Sequence, residues 1–445
     1  MPTTIPQLSR LMKHLLTTCA DHLAVQSGFV QRVSKLSGSL FVRTLVFSWW
    51  QDPAAPCAAR ARLATTLGCP ITAQGFDQRF GPASAAFLQA LLGTAVQYAV
   101  QADPVAIPVL RRFAHVEICD GSIIPLPVAL APLWAGCGHA TARVTGALKF
   151  VVRFDLTWGR LYGPHLTPAR QHDLAGAAEL PDLPPNSLFI GDLGFFSLEQ
   201  FALWERTRRY WLSRYKLGTG VAWPDGTRVE LGAWLTAQGR QLVDVAILLG
   251  VEARLPCRLL AERVPASVLR ERRAALREEA RRRQTEVSAE AWELARWTLL
   301  VTNCPAQRLS GEEALALGEA RWQVELLIKR WKSLGQIDEW QTANPQRILT
   351  EVCAKLLVLV LQHWLLVLGC WREPAKSLWR GLAELQRWGQ TLAWAAKQDC
   401  WEAAVADAVA AVRACRIDTR RTAPSTYQRL LAAAPPLGAV HSVAA

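Results

Sequence analysis

Among the eleven cysteines (positions 19, 57, 69, 119, 137, 257, 304, 353, 370, 400 and 415), no two form a CxxC pair and none shows zinc-ligand spacing. That excludes a structural zinc site and a dithiol redox motif, and leaves reduced, mostly buried thiols of an intracellular protein. Residues Met1 to Ser34 lack the basic, apolar and small-residue succession of a secretion signal, so a cytoplasmic location is expected. A membrane-spanning run of 18 or more apolar residues is missing too. The strongest suspect, Leu356 to Trp371, contains Gln362 and His363 and is entered past Glu351 and Lys355, which makes it a buried helix instead. Acid is also scarce: 37 Asp and Glu face 50 Lys and Arg, and the formal charge of +13 favours polyanionic partners, nucleic acid first. No internal repeat is present.

What the chain does have is bulk. Its 445 residues, 51% hydrophobic with 19 Trp, describe an ordered globular protein of about two to four structural units. Residues 1 to 108 read as helices broken by Gly, Pro and Ser, at about 6 to 25, Phe29 to Lys35 and Gly38 to Trp50. Within residues 1 to 51 five cations (Arg10, Lys13, Arg32, Lys35, Arg43) oppose one acid, Asp21, which suits a DNA-facing section. The segment Cys69 to Phe80, with Thr72 as N-cap, fits either the turn and second helix of a helix-turn-helix or an ordinary helical hairpin.

After Pro108 the period changes from helical to extended. Strands are expected at His115 to Leu126, Leu148 to Leu156, Gly159 to Leu166, Ser187 to Asp192 and Tyr210 to Tyr215, with a helix at Ser197 to Arg208. This is an α/β unit on a mixed sheet. Between Lys216 and Val301 come short strands at Thr227 to Trp234 and Gln241 to Leu249, then a charge-dense stretch from Val268 to Gln284, and a returning strand Trp297 to Thr302. The charge-dense stretch carries Arg270, Arg272, Arg273, Arg277, Arg281, Arg282 and Arg283 against Glu271, Glu278 and Glu279. As a helix it tracks a phosphate backbone or stands as a solvated face with internal ion pairs. Beyond Asp338 the chain is helical and Trp-rich, which suggests core plus an interface, and it ends in an Ala/Pro tail after Ala432.

Three acids carry the chemistry. Asp120, followed by Gly121 and Ser122, falls in the middle of the first strand, and Asp192, followed by Leu193 and Gly194, ends the fourth. Glu325 sits in the helical segment Arg321 to Lys332, where Arg321, Glu325, Lys329 and Lys332 share one stripe and Val324, Leu327, Ile328 and Trp331 another. Such a stripe is either a solvated face with ordinary ion pairs or one that holds metal and phosphates together. Three carboxylates brought to one pocket suit hard divalent cations, Mg²⁺ or Mn²⁺, and two ions would serve phosphodiester cleavage.

The set Asp120-Gly-Ser, Ile190-Gly-Asp192-Leu-Gly-Phe-Phe-Ser and Arg321-x3-Glu325-x6-Lys332 resembles the triad and signature of the IS4-family (Tn5-like) DDE transposases. The resemblance covers nearly the whole chain. It implies a ribonuclease H-like mixed-sheet core with a mostly β insertion, flanked by helical N- and C-terminal domains. The expected division is a DNA-binding domain at 1–108, core at 109–215 and 302–340, insertion with a basic helix at 216–301, and a helical region at 341–445 with a possible role in dimerisation. One position departs from the signature: where the family has Tyr three residues before the Arg, this chain has Gly318, so one aromatic phosphate anchor is absent.

By the same resemblance Asp120, Asp192 and Glu325 hold two Mg²⁺ or Mn²⁺ ions, while Arg321, Lys329 and Lys332 contact DNA. Arg214 matches an Arg that contacts DNA near the active site; read alone it is a strand-end Arg bound to a nearby acid. Trp297 matches a Trp that receives a flipped base; read alone it is a core residue. The implied activity is cut-and-paste transposition on double-stranded DNA (transposon ends and target) by a homodimer that bridges both ends, in the bacterial cytoplasm at the nucleoid. Two alternatives stay open: an end-binding regulator that no longer transposes, and a host nuclease of the same fold.

Overall fold

The computed structural model describes every residue except 33–34, 138–144, 172–176, 178–179, 181, 399, 418–423 and 434–445, so the tail after Ala433 lies outside the described residues. Helices α1 (Ile5–His14) and α2 (Ala20–Gln26) are joined by a π turn and followed by α3 (Gly38–Gln51), α4 (Cys57–Thr66), α5 (Ala73–Asp77) and α6 (Pro82–Ala95). Then come β1 (Val116–Leu126), β2 (Gly146–Asp155), β3 (Leu161–Pro168), β4 (Leu188–Gly191), α7 (Leu198–Arg206) and β5 (Tyr210–Arg214). The next section holds β6 (Val221–Ala222), α8 (Leu231–Ala237), β7 (Leu242–Leu249), β8 (Leu255–Arg263), α9 (Ala266–Arg283), α10 (Ala289–Leu294) and β9 (Trp297–Thr302). The chain closes with α11 (Gly311–Ala320), α12 (Trp322–Ser333), α13 (Pro345–Cys370), α14 (Leu378–Gln386), α15 (Gly389–Gln398), α16 (Trp401–Arg413) and α17 (Thr426–Ala432).

These elements form two compact units. Unit 1 comprises residues 1–106, 119–182 and 323–422; unit 2 comprises 107–118, 183–322 and 423–445. Unit 1 is built around α13. Asn344 starts this helix by accepting from the Gln346 and Arg347 amides at 3.0 and 3.1 Å, with Pro345 in the first turn, where its missing N–H costs nothing. A helix apolar on all sides must be surrounded, and 94% of its most apolar 18-residue window is buried among α3, α6, α14 and α16. Each fully buried Leu or Val contributes about 1.5–3 kcal/mol. The charges at its entrance are satisfied internally: Lys355 pairs with Glu351 at 3.0 Å and donates to the carbonyls of Gln336 and Glu339 at 3.0 and 2.8 Å.

Thr72 does cap α5, accepting from the Gly75 amide at 3.0 Å. That helix has only five residues, however, and its Phe76 is turned into the core against Phe41 and Phe80, so it is one packed turn of a helical hairpin and too short to lie along a groove. The pattern of Phe29 to Lys35 predicts a helix; its described residues are bends and irregular backbone. Gly28, at φ +72°, ends the preceding helix, and the Phe29 ring is drawn between Phe41 and Phe87 at 4.5 and 5.4 Å. Also in unit 1, β2 and β3 pair antiparallel (Phe150↔Leu166, Phe154↔Leu161), and β2 is buried on nearly all positions, including Arg153 and Asp155.

In unit 2, β1 pairs parallel with β4 (Val116↔Leu188, Ile118↔Ile190) and β4 parallel with β5. β5, β9, β8, β7 and β6 follow as antiparallel neighbours. An antiparallel pair leading into parallel β1, β4 and β5 is the mixed sheet of a ribonuclease H-like core. Strands β6 to β8 extend unit 2 through β9, and its core gathers Phe201, Trp211, Leu235, Leu259 and Trp297, with Phe201 and Trp211 stacked at 4.2 Å. The strand expected at Thr227 to Trp234 is replaced. Only Arg228 bridges to Ala222, and from Leu231 the chain is helical because Leu231 and Leu235, four apart, both reach the core.

Candidate active-site carboxylates and cation sites

In unit 1, Asp120 lies half-buried on β1, and its Oδ1 accepts from the Gly121 amide at 2.8 Å. A carboxylate held by the backbone of the next residue has a set orientation. Glu325 lies half-buried in the first turn of α12, with the exposed Lys329 one turn on. The same helix is fastened at its far end. Trp331 stacks on Phe150 of β2 with ring centroids 5.9 Å apart, and Lys332 Nζ donates to the Ile123 carbonyl of β1 at 3.3 Å while lying 3.8 Å from Asp338. Unit 1 therefore brings the helix of Glu325 against the strand of Asp120, with Lys332 as the direct link.

In unit 2, Asp192 follows β4 and caps a single 3₁₀ turn, Leu193–Phe195: its Oδ1 accepts from the Gly194 amide at 2.8 Å. Both aspartates are thus oriented by a backbone N–H within two residues. Arg214 is exposed at the end of β5, directly opposite Leu300 of β9. Leu300 is also what Gly318 of α11 rests on, since a Cβ added to Gly318 would stand 2.9 Å from Leu300 Cδ1. A larger side chain at 318 has no room unless Leu300 moves, so the glycine is a close-packing residue of this chain. Arg321, one turn further, is the C-cap of α11, so the segment from Arg321 to Lys332 expected as one helix has its joint at Arg321, with α12 beginning at Trp322. Trp297 is 5% exposed within the unit 2 core.

Two cations escaped the sequence reading. Arg272 of α9 donates from Nη1 to the Trp297 carbonyl at 2.7 Å and from Nη2 to Thr298 Oγ1 at 2.9 Å; burial, and then the nearby charge of Arg214, hold its guanidinium below the usual range. Arg330 of α12 is 7% exposed, and burial pushes it down to about 10. Neither was legible, because one is among seven arginines of a charged stretch and the other sits among the charges of a signature.

The family described as transposase DDE domain matches residues 115–361. Among full-length relatives, the chain is 24% identical over 377 residues to the transposase for insertion sequence element IS231F of Bacillus thuringiensis subsp. israelensis, covering 80% of this chain and 79% of that protein. It is 26% identical over 375 residues to the IS231D transposase of B. thuringiensis subsp. finitimus, covering 79% and 77%. A shorter match, 30% over 148 residues, links it to the putative transposase InsL for insertion sequence element IS186A of Escherichia coli K12, covering 29% and 40%. The domain match spans more than half of the 445 residues and contains both aspartates and the helix of Glu325, so the protein belongs to the DDE transposase family.

Proposed function

We propose that this protein is an insertion-sequence transposase of the IS4 (Tn5-like) kind, which cuts double-stranded DNA at the ends of its element and joins those ends to target DNA. The observation that carries the reading is the DDE domain match over residues 115–361, together with two aspartates whose orientation is set by their own neighbouring amides.

The residues fit a divalent metal. Asp120, Asp192 and Glu325 offer only carboxylate oxygens, the donors that hard cations such as Mg²⁺ or Mn²⁺ select, and a ligand carboxylate that accepts a backbone hydrogen bond is the expected outer support of such a site. Bound there, one or two ions supply charge stabilisation at the phosphodiester oxygens and an acidic water. Within unit 1, Asp120 and Ile123 are separated by about 10 Å of strand and Glu325 and Lys332 by about 10 Å of helix, so a helix tied to Ile123 through Lys332 has the length needed to bring Glu325 level with Asp120.

The chain's own groups do the rest. Arg214, Arg321, Lys329 and Lys332 bind backbone phosphates and set the DNA in register. Trp297 is assigned to the DNA end by the resemblance; its depth in the core means that any contact with a base needs unit 2 to open locally. Cleavage forms a P–O bond from water and breaks the P–O3′ bond, leaving a 3′-hydroxyl; joining repeats the exchange with that hydroxyl as nucleophile and the target's 3′-oxygen as leaving group. No covalent protein intermediate is needed. A homodimer acting at the nucleoid, with each copy touching both ends, completes the proposal.

The test is Glu325→Gln on linear DNA carrying the element ends. Binding should persist while cleavage in Mg²⁺ or Mn²⁺ falls by at least about 10²–10³-fold. Normal cleavage by the variant overturns the assignment, and binding without cleavage by the unaltered protein identifies an end-binding regulator instead.

A further inference from the structure

Helix α9 is 18 residues long and none of them is fully buried, so apolar burial does little to hold it in place. Guanidinium groups do. Arg273 and Arg277 lie over the Trp292 ring at 4.2 and 4.8 Å, and Arg272 reaches the Trp297 carbonyl and the Thr298 hydroxyl of β9. Towards its C-terminus, Arg281, Arg282 and Arg283 are matched by Glu278 and Glu279 at 2.7–3.5 Å. Arg272 differs from these last three: among the described residues no carboxylate lies within ion-pair distance of it, and none lies within that distance of Arg214.

The two unpaired cations face each other. Thr298 and Leu300 are two apart on β9 and so project to one face, about 6.7 Å from each other, and Leu300 is directly opposite Arg214 on β5. Arg272, fixed at Thr298, is therefore beside Arg214 on that face. Its bonds to Trp297 and Thr298 use two of five N–H donors, which leaves three in a pre-set geometry. Burial lowers Arg272 first and the neighbouring like charge of Arg214 lowers it further, and an anion between the two relieves that repulsion and takes the remaining donors.

We propose that Arg214 and Arg272 grip a single phosphodiester of the DNA between them, with α9 serving to hold Arg272 over β9. The proposal rests on the transposase reading and adds to it a residue of the insertion. Arginine suits the role because its planar fork meets two phosphate oxygens at once, whereas a lysine offers a point charge.

The experiment measures the affinity of the full chain for a linear duplex by fluorescence anisotropy across a salt series, together with a melting temperature for each protein. Arg214→Leu and Arg272→Leu should each lower the slope of log affinity against log salt by about one, and the double variant should also lower it by only about one, because both residues serve the same phosphate. An unchanged slope in Arg272→Leu, or a drop of about two in the double variant, overturns the shared grip. Should Arg272→Leu melt early, Arg272→Lys replaces it: it should keep the slope and lose about tenfold in affinity, and wild-type affinity in that variant overturns the proposal. Failure of the unaltered protein to bind duplex at all would overturn the transposase reading itself, whereas good binding with indifferent Arg272 variants removes only the grip.

Discussion

Unit 1 takes charged groups into its helical interior, where Arg330 is pushed down to about 10 by burial and Lys355 survives because Glu351 and two carbonyls surround it. Unit 2 instead ties guanidiniums across its sheet and loops. Arg112 is bidentate to Glu313 at 2.7 and 2.8 Å, Arg258 bonds Asp244 and the carbonyls of Cys304 and Leu309, and Arg272 is fixed to β9. A buried, desolvated cation adds little to a solvent-borne polyanion, while a cation pinned at a surface with donors to spare is prepared for one. Unit 1 thus keeps desolvated cations inside its helical interior, whereas unit 2 holds guanidiniums in place by hydrogen bonds across its strands and loops.

The strongest way to break this comparison is at the pinned pair itself. Glu313 is 1% exposed on its side chain and Arg112 31%, so Arg112→Met strands a buried carboxylate and should cost about 3–5 kcal/mol in urea denaturation. Adding Glu313→Gln to that variant should recover part of the loss. A cost below about 1 kcal/mol would mean that unit 2 does not depend on its guanidinium ties, and the contrast would fail.

A second prediction concerns unit 1 and acid. Burial pushes the His363 imidazole down to about 4, opposed by its hydrogen bond with the Gly159 carbonyl at 2.8 Å, in which Nε2–H donates. Unfolded, a histidine titrates near 6.5, so between these values the unfolded chain binds the extra proton and stability falls as pH falls. The loss should reach about 2 kcal/mol by pH 5 and about 3 kcal/mol by pH 4. His363→Gln keeps a donor for Gly159 and has no proton to gain, so its stability curve between pH 6.5 and 4 should be flatter than that of the unaltered protein. Parallel curves would show that acid acts elsewhere.

How much of this was legible in the sequence depends on whether the cause was local. The buried α13 was readable because an all-round apolar pattern admits few explanations, and Asp192 because an apolar run ending in Gly-Asp is a strand followed by a turn. Strand β8 was missed: Pro256 and Arg258 break its apolar pattern, yet Pro256 falls at the strand's start and Arg258 is neutralised by Asp244 on β7. Leu231 and Leu235 had a helical interval that a short window read as strand. Arg272 was beyond reach, since its partners are the backbone and hydroxyl of a strand 25 and 26 residues away. The two aspartates were found as residue types, while the amides that orient them are facts of backbone conformation.

The smallest effect is the most discriminating for α9. Glu278 pairs with Arg281 and Arg282 on an exposed surface, where such pairs contribute a few tenths of a kcal/mol. Glu278→Gln should leave the melting temperature within about 1 °C, because the helix is anchored near its start by Arg272, Arg273 and Arg277 and not by these pairs. What should change is the interaction with DNA: removing an acid from a row of arginines strengthens duplex binding about two- to threefold at low salt and less at high salt, if α9 follows the phosphate backbone beyond the Arg214–Arg272 pair. Unaltered affinity at every salt concentration would confine the DNA contact to the anchored start of the helix and make its outer turns a solvated face.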